Sequence, residues 1–418
     1  MSSRAKVATC LLLAAALVAT LSRTWQAPND WAEAHWLLDY RFGFVKRALP
    51  GQLLAWLGAT IGRPVDEGLI AGVSWTLCAL FAALLLVLTV RIARRSSWSV
   101  ESVAVGAAFL TSPFVVMTGN VMGYHDHVFL PLGIASVWLV MRDRWWGASM
   151  LQVAALFVHE ASILVVYPVF VLAGLLRADD RLRGATRRPL PLAPVLLPFV
   201  VAIVLDVVVP TVPVGFEAAF TAHLRQHAFV HGGIDTLGGP MLAGTLSQAL
   251  DLMRPYLGAN LSKASSIGLV APTTVALLLL LLSRTRPAIL SLEALAIAGV
   301  VLAPQALHLI AWDLERLWTW SILLMFLVAW IYSEREEPPP EAAPRGAFVV
   351  PFLAICCNLA METPLMGNVG ERPSRTARAG MLVALAAGLL VLGAIRSGTP
   401  VGTLVKWRGR SLRELFRR

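Results

Sequence analysis

The sequence predicts an all-α polytopic membrane protein of about twelve transmembrane helices, and three observations predict it. Of 418 residues, 57% are hydrophobic and only 14% charged, with a mean hydropathy of +0.70, too apolar for a chain whose surface faces water throughout. The apolar residues fall in long runs suited to crossing a bilayer as helices. The net charge of +10 is dispersed in short Arg clusters between those runs, the pattern of membrane insertion, which argues against a nucleic-acid partner. Cys10, Cys78, Cys356 and Cys357 all lie within apolar stretches, where thiols serve as small hydrophobes and imply neither a disulfide nor a zinc framework.

The runs cover residues 7–21, 69–90, 102–118, 128–141, 148–158, 162–176, 190–209, 267–283, 288–311, 317–331, 347–359 and 379–395. The first follows Arg4 and Lys6 without a small-x-small cleavage site, so it reads as an uncleaved helix. With the N-terminus in the cytoplasm, the inner segments carry 23 Lys and Arg and the outer ones 12, which puts both termini and the basic segment 177–188 inside. Four parts follow: a membrane module over 1–210 with its first outer loop at 23–68, a large outer loop at 211–266, C-terminal transmembrane helices over 267–396, and a basic tail at 397–418 suited to anionic lipid. Long outer loops are where function concentrates.

In the first outer loop, Asp30 with Glu33 three residues on resembles a capping box opening a short helix to about Tyr40. A second helix starts at Pro50 and stops near Gly62. Both are rich in Trp and Leu, the composition of helices lying along a membrane surface. Between them Asp39 stands among Arg41, Lys46 and Arg47. This is either an interfacial anchor pairing Asp39 with Arg41 or Lys46, or a carboxylate base beside a phosphate-binding cluster.

Further outer acids follow along the chain. Asp126, flanked by His125 and His127 in a very short loop, suits either a helix cap or a divalent cation, the one cofactor these residues suggest. His159 and Glu160 lie between two short runs, at the top of a hairpin in the outer leaflet, where ionisable groups are costly and become functional candidates. Asp313 and Arg316 form another acid and cation close in sequence, as a local ion pair or a ligand contact. His223, His227 and His231 recur every four residues beside Phe216, Phe220 and Leu224, which favours an amphipathic surface helix ending at Gly232 over a metal row. In this topology all eight histidines fall on the outer side.

A first helix, a long outer loop with two interfacial helices and Asp39, and a short loop with Asp126 after the third run together resemble the membrane module of GT-C glycosyltransferases over residues 1–210. The resemblance implies a GT-C-like fold in a bacterial inner membrane and an extracytoplasmic site. It implies transfer of a sugar from a polyprenyl-phosphate donor to a glycan or lipid acceptor, with membrane lipids as the surrounding partners. Asp39 and Asp126 would then be the catalytic acids, with Arg41, Lys46, Arg47, His159, Glu160, Asp313 and Arg316 as substrate contacts. The sequence departs from several such families in lacking an adjacent Asp-Glu pair in the first loop and a large soluble C-terminal domain. The segments around Asp39, His159 and Asp313 also resemble polysaccharide polymerases. A polymerase or ligase of surface glycan is therefore one alternative, and a secondary transporter using Asp206 or Glu293 is the other.

The topology has a direct test. Alkaline phosphatase fused near His227 should be active and the same reporter near Arg183 inactive; the reverse pattern would invert the orientation.

Overall fold

The computed structural model describes residues 1–183, 191–208, 215–227, 229–230, 250–251, 254–256, 267–285, 292–309, 314–335 and 348–363, with a few isolated positions between 376 and 387. In hydrocarbon each backbone N–H and C=O must be satisfied within the chain, and helices achieve this within one segment. Every regular element among the described residues is helical. Six stretches are long and apolar enough to cross a membrane: Ser3–Leu21, Glu67–Arg95, Val100–Asn120, Ser162–Asp179, Leu292–Leu309 and Glu315–Arg335. Five shorter apolar helices accompany them. The chain is a helical membrane protein.

In chain order, α1 (Ser3–Leu21) leads to α2 (Asp30–Leu37), a 3-10 turn (Tyr40–Phe42) and α3 (Ala48–Thr60). Then come α4 (Glu67–Arg95), α5 (Val100–Leu110), α6 (Pro113–Asn120), α7 (Asp126–Met141), α8 (Trp145–Val158), α9 (Ser162–Arg183), α10 (Leu192–Val208) and the short α11 (Phe216–Leu224). The C-terminal part supplies α12 (Ile267–Thr285), α13 (Leu292–Leu302) extended by a 3-10 segment (Ala303–Leu309), α14 (Leu314–Arg335) and α15 (Val349–Ala360). Most of the expected twelfth run at 379–395 lies outside the described residues.

Polar side chains open and line these helices without exposing the backbone. Asp66 caps α4 by accepting from the Leu69 N–H at 2.7 Å, and Ser99 caps α5 through Ser102 at 3.1 Å, as short oxygen-bearing side chains do for otherwise unpaired N–H groups. Thr9, Thr20 and Thr89 return their hydroxyls to the carbonyl four residues back at 2.7–2.8 Å, so these three buried donors are satisfied within their own helices.

α14 and the α5–α6 pair form the centre. Trp320, Phe326, Trp330 and Tyr332 of α14 are fully buried, and Phe326 stacks on Phe109 of α5 with ring centroids 3.7 Å apart. The run expected to be continuous at 102–118 is in fact broken at Thr111 and Ser112, because Pro113 has no N–H to continue the ladder. Asn358 of α15 enters that break and donates to the Ala108 carbonyl at 2.9 Å and to Thr273 of α12 at 2.9 Å. At the end of α15, the wholly buried Arg23 donates to the Asn358 and Met361 carbonyls at 3.0 and 3.2 Å. A cation thus satisfies carbonyls at a helix C-terminus, where the dipole favours it.

The two ends of the bundle differ. At one, arginines pair with acids from other helices: Arg91 and Arg95 with Glu334, Arg177 with Asp143 at 2.7 Å, and Arg335 with Asp179 at 3.7 Å. The other gathers the first loop, the α6–α7 and α8–α9 junctions and the start of α14, with the seven described histidines.

Close helix approach gives a stability test. A Cβ on Gly133 of α7 would overlap the Val166 side chain of α9, whereas Gly72 of α4 has open space. Gly133→Val should cost about 1–3 kcal/mol through overpacking, read as a lower midpoint of thermal unfolding in detergent. Gly72→Ala should hold or raise that midpoint, since Ala gains about 1 kcal/mol over Gly in a helix. Equal midpoints for the two variants would refute the α7–α9 contact.

Candidate functional site

The site is assembled by the first loop. Asn29, and not Asp30, is the N-cap of α2, accepting from the Ala32 N–H at 2.9 Å. Asp30 and Glu33 therefore lie inside the first turns, and α2 ends at Leu37, short of the expected Tyr40. Trp36 fixes α2 to the α6–α7 loop by donating to the Gly123 carbonyl at 2.7 Å. Gly123 itself has φ +85° and lies so close to Pro28 and Ala32 that a side chain would not fit.

The cations clustered in the sequence around Asp39 diverge to three different acids. Asp39 caps the 3-10 turn through the Arg41 N–H at 3.0 Å and holds the Arg41 guanidinium at 2.7–2.8 Å through both carboxylate oxygens. Only 5% of its side chain is exposed, against 54% for Arg41. Phe42, next in sequence, packs on Phe216, Phe220 and His223 of α11. Lys46 lies 3.5 Å from Asp206 of α10. Arg47 crosses to the α8–α9 junction, where its guanidinium takes both oxygens of Glu160, Nε at 2.9 Å from Oε2.

Arg47 reaches Glu160 from an unfavourable backbone. It sits at φ 64°, ψ 5°, the left-handed region, just before α3. For a non-glycine residue this is uncommon and costs energy that surrounding contacts must offset. Its Nη1 lies 3.4 Å from His35 Nε2, and His35 Nδ1 lies 2.8 Å from the Trp31 carbonyl. The ring of His125 stands edge-on to His35 and Trp36 at 5.2 and 5.4 Å. Neither His125 nitrogen makes a hydrogen bond of good geometry, although the residue is 2% exposed.

His159 is bonded by its own turn, its Nδ1 accepting from the Ala161 N–H at 3.1 Å. That nitrogen carries no proton, so the 3.7 Å approach of Glu160 to it is not an ion pair. Burial, then the Arg47 charge, pushes His159 well below the usual imidazole range. His35 is lowered by burial, then by His125 and Arg47. His125 is lowered to about 3, by burial and then Arg47. The three rings are neutral at physiological pH. Glu160 responds oppositely: burial pushes it up, but the Arg47 charge, the Arg47 hydrogen bonds and further contributions from the junction together hold it well below the carboxylate range.

A second polar group lies beside the first. Arg316, in the first turn of α14, stacks over Tyr124 and Trp320 at 5.3 and 5.0 Å and stands 3.8 Å from Asp126 Oδ2. Trp320 Nε1 donates to the same oxygen at 3.2 Å, while Asp126 Oδ1 is buried without a hydrogen bond. The cavity between Asp126, His127, Phe81 and Trp320 measures about 10 Å³, roughly the volume one water needs. Asp126 is not the N-cap of α7; His125 is.

The expected metal candidates do not converge. His125 turns toward His35, His127 toward the Thr118 carbonyl at 3.1 Å, and Asp126 toward Trp320. Among the described residues no three His, Cys, Asp or Glu side chains form a group able to hold a metal ion. His223 lies on a helix that ends at Leu224, well before the expected Gly232, and meets His227 just past that end edge-on, with centroids 4.6 Å apart. Phe216, Phe220 and Leu224 make its buried face. His231 and Asp313 lie outside the described residues.

The structure thus brings Arg47, His159, Glu160, Asp126 and Arg316 to one end and keeps Asp39, Arg41 and Lys46 in flanking pairs. Sequence reasoning did not single out His35, whose one signal is a histidine on a short Trp-rich helix twelve residues before Arg47. No family model, curated protein or solved structure matches the chain.

Proposed function

We propose that the chain is a membrane glycosyltransferase that moves a sugar from a polyprenyl-phosphate donor to a glycan or lipid acceptor, using the histidine-rich end of the bundle. The observation that carries this reading is Arg47, held in a left-handed backbone and projected from the interfacial loop onto Glu160 and His35. Sugar transfer from such a donor needs a cation where the phosphate departs and a carboxylate where the acceptor hydroxyl loses its proton. Arg47 offers two N–H groups in the planar geometry that suits a phosphate. Exposed Phe44, Leu53, Trp56 and Leu57 nearby in the same loop offer an apolar surface for a lipid carrier. In this reading a GT-C-like module places the reaction on the extracytoplasmic side of a bacterial inner membrane.

The resemblance assigns the base to Asp39, but Arg41 engages both of its oxygens, which suits an acid that fixes the turn leading to Lys46 and Arg47. Asp126 orients Arg316 toward the same end. A transporter is the second reading, favoured by the broken α5–α6 span with Asn358 inserted into it.

The test is incorporation of labelled sugar from a pool of polyprenyl-phosphate donors by membranes carrying each variant, normalised to inserted protein. Arg47→Gln should reduce transfer about 100-fold or more, the usual loss when one preorganised donor to developing negative charge is removed. Lys46→Ala, whose partner is the peripheral Asp206, should stay within a few-fold of the parent. Transfer unchanged in Arg47→Gln would remove Arg47 from the reaction. A parent that transfers nothing from any donor, yet loses solute flux on Asn358→Ala, would favour the transporter.

A further inference from the structure

The sequence offers Glu160 only as a substrate contact, yet it has the accessibility expected of a base. Its side chain is 42% exposed, against 5% for both Asp39 and Asp126. A general base has to reach the proton it removes. Its drawback is Arg47, which occupies both oxygens and suppresses basicity. The same pairing hides the cation a phosphate would need, since 17% of the Arg47 side chain is exposed.

Resting on the transferase reading above, we propose that Arg47 and Glu160 are an exchangeable pair. The phosphodiester of the lipid-linked donor takes the Arg47 guanidinium, and Glu160, released beside it, removes the acceptor hydroxyl's proton. In the step itself the acceptor O–H gives its proton to Glu160 and its oxygen forms a bond to the anomeric carbon. The bond from that carbon to the phosphate oxygen breaks, and its electron pair stays on the phosphate held by Arg47. Donor binding therefore creates the base, so no activated carboxylate stands open to water before the donor arrives.

Three features of the site favour exchange. The groups facing the pair are His35 from α2, His125 ahead of α7, His159 from the junction itself, and Arg316 of α14 beyond His159. The three imidazoles are neutral, so Arg47 is the cation in contact with Glu160 among the described residues. With that charge turned to phosphate, Glu160 loses the cation that stabilises its ionised form, and its proton affinity rises. His125 is buried with no well-formed hydrogen bond. Such a group is costly unless something pairs with it, and a phosphate oxygen at Arg47 is an acceptor of the right kind.

Exchange can be measured without turnover, using purified protein in detergent and dioctyl phosphate, a phosphodiester whose single charge is constant from pH 4 to about pH 9. Glu160→Gln removes the internal competitor and should bind this probe about tenfold more tightly than the parent, while Arg47→Gln should bind it more weakly. In the transfer assay Glu160→Gln should fall about 100- to 10,000-fold, the range for loss of a general base. The parent's acid limb should lie at higher pH in kcat than in kcat/KM, because Glu160 gains proton affinity once the donor is bound; a purely structural role for Glu160 would leave the two limbs together. If the parent transfers sugar, but Glu160→Gln binds the probe no more tightly and transfers at the parent's rate, the exchange is overturned and the transferase reading stands. If the parent transfers nothing from any donor, the transferase reading falls, and the base role with it. Unchanged probe binding in both variants would overturn the exchange on its own.

Discussion

A charge brought to the mouth of a helical bundle must meet its opposite, and Arg47 meeting Glu160 is the contact on which the arrangement of this end depends. Desolvating either partner alone costs several kcal/mol, and removing one from a buried pair is worse than never having it. The pair ties the first loop to the α8–α9 junction across 113 residues. His35 arrives with α2, and Trp36 docks the same helix on Gly123, so one ion pair and one indole bond together bring α2, α3, α7 and α8 into register. The left-handed backbone at Arg47 is the strain this geometry carries.

The bundle interior meets the same constraint with one amide and one buried guanidinium that both bond backbone carbonyls. Where the central span breaks before Pro113, the Ser112 N–H turns to the Phe109 carbonyl, and the Ala108 carbonyl accepts instead from the Thr111 hydroxyl and from Asn358 of α15. The end of α15 is in turn closed by Arg23, from the loop after α1. Elements far apart in sequence thus complete one another's hydrogen bonding in series, α15 serving α5 and the loop after α1 serving α15. The break is a fixed joint and not a loose one, since Thr273 of α12 also bonds Asn358. The opposite end has a simpler solution, with arginines paired to acids from neighbouring helices around Glu334, Asp143 and Asp179.

Much of the helical content was legible from the length of the apolar runs, because in lipid a long apolar run has few structures open to it. That the first loop carries two short helices was legible, from Trp and Leu beside cap residues, but their ends were misplaced. Asn29, not Asp30, makes the cap, and proximity in sequence does not decide between two adjacent capping residues. The partners of the charges were the least legible. Asp39, Arg41, Lys46 and Arg47 lie within nine positions, and local reasoning makes them one cluster. The chain turns through a 3-10 segment and a left-handed residue there, so successive side chains leave in different directions. Lys46 and Arg47 find acids 160 and 113 residues away, separations that no local pattern encodes. His159 and Glu160 were visible as ionisable residues between short apolar runs, and Asp126 and Arg316 as acids and cations at run ends.

The neutrality of the histidines links these partnerships to chemistry. A cluster of imidazoles beside two arginines would repel them if protonated, and burial already disfavours that charge, so His35, His125 and His159 keep their protons on single nitrogens at neutral pH. They then act as short polar walls that donate or accept one hydrogen bond each without adding charge. In such surroundings the charges nearest these rings among the described residues are Arg47, Arg316, Glu160 and Asp126, two of each sign. A single additional anion of the size of a phosphodiester shifts that balance, and the group with the most freedom to respond is the half-exposed Glu160. Asp126 is held by Trp320 and closed off beside a cavity of about 10 Å³, so it is confined to orienting its neighbours. The difference in accessibility between these two acids, and not their similar chemistry, separates a group that can exchange partners from one that cannot.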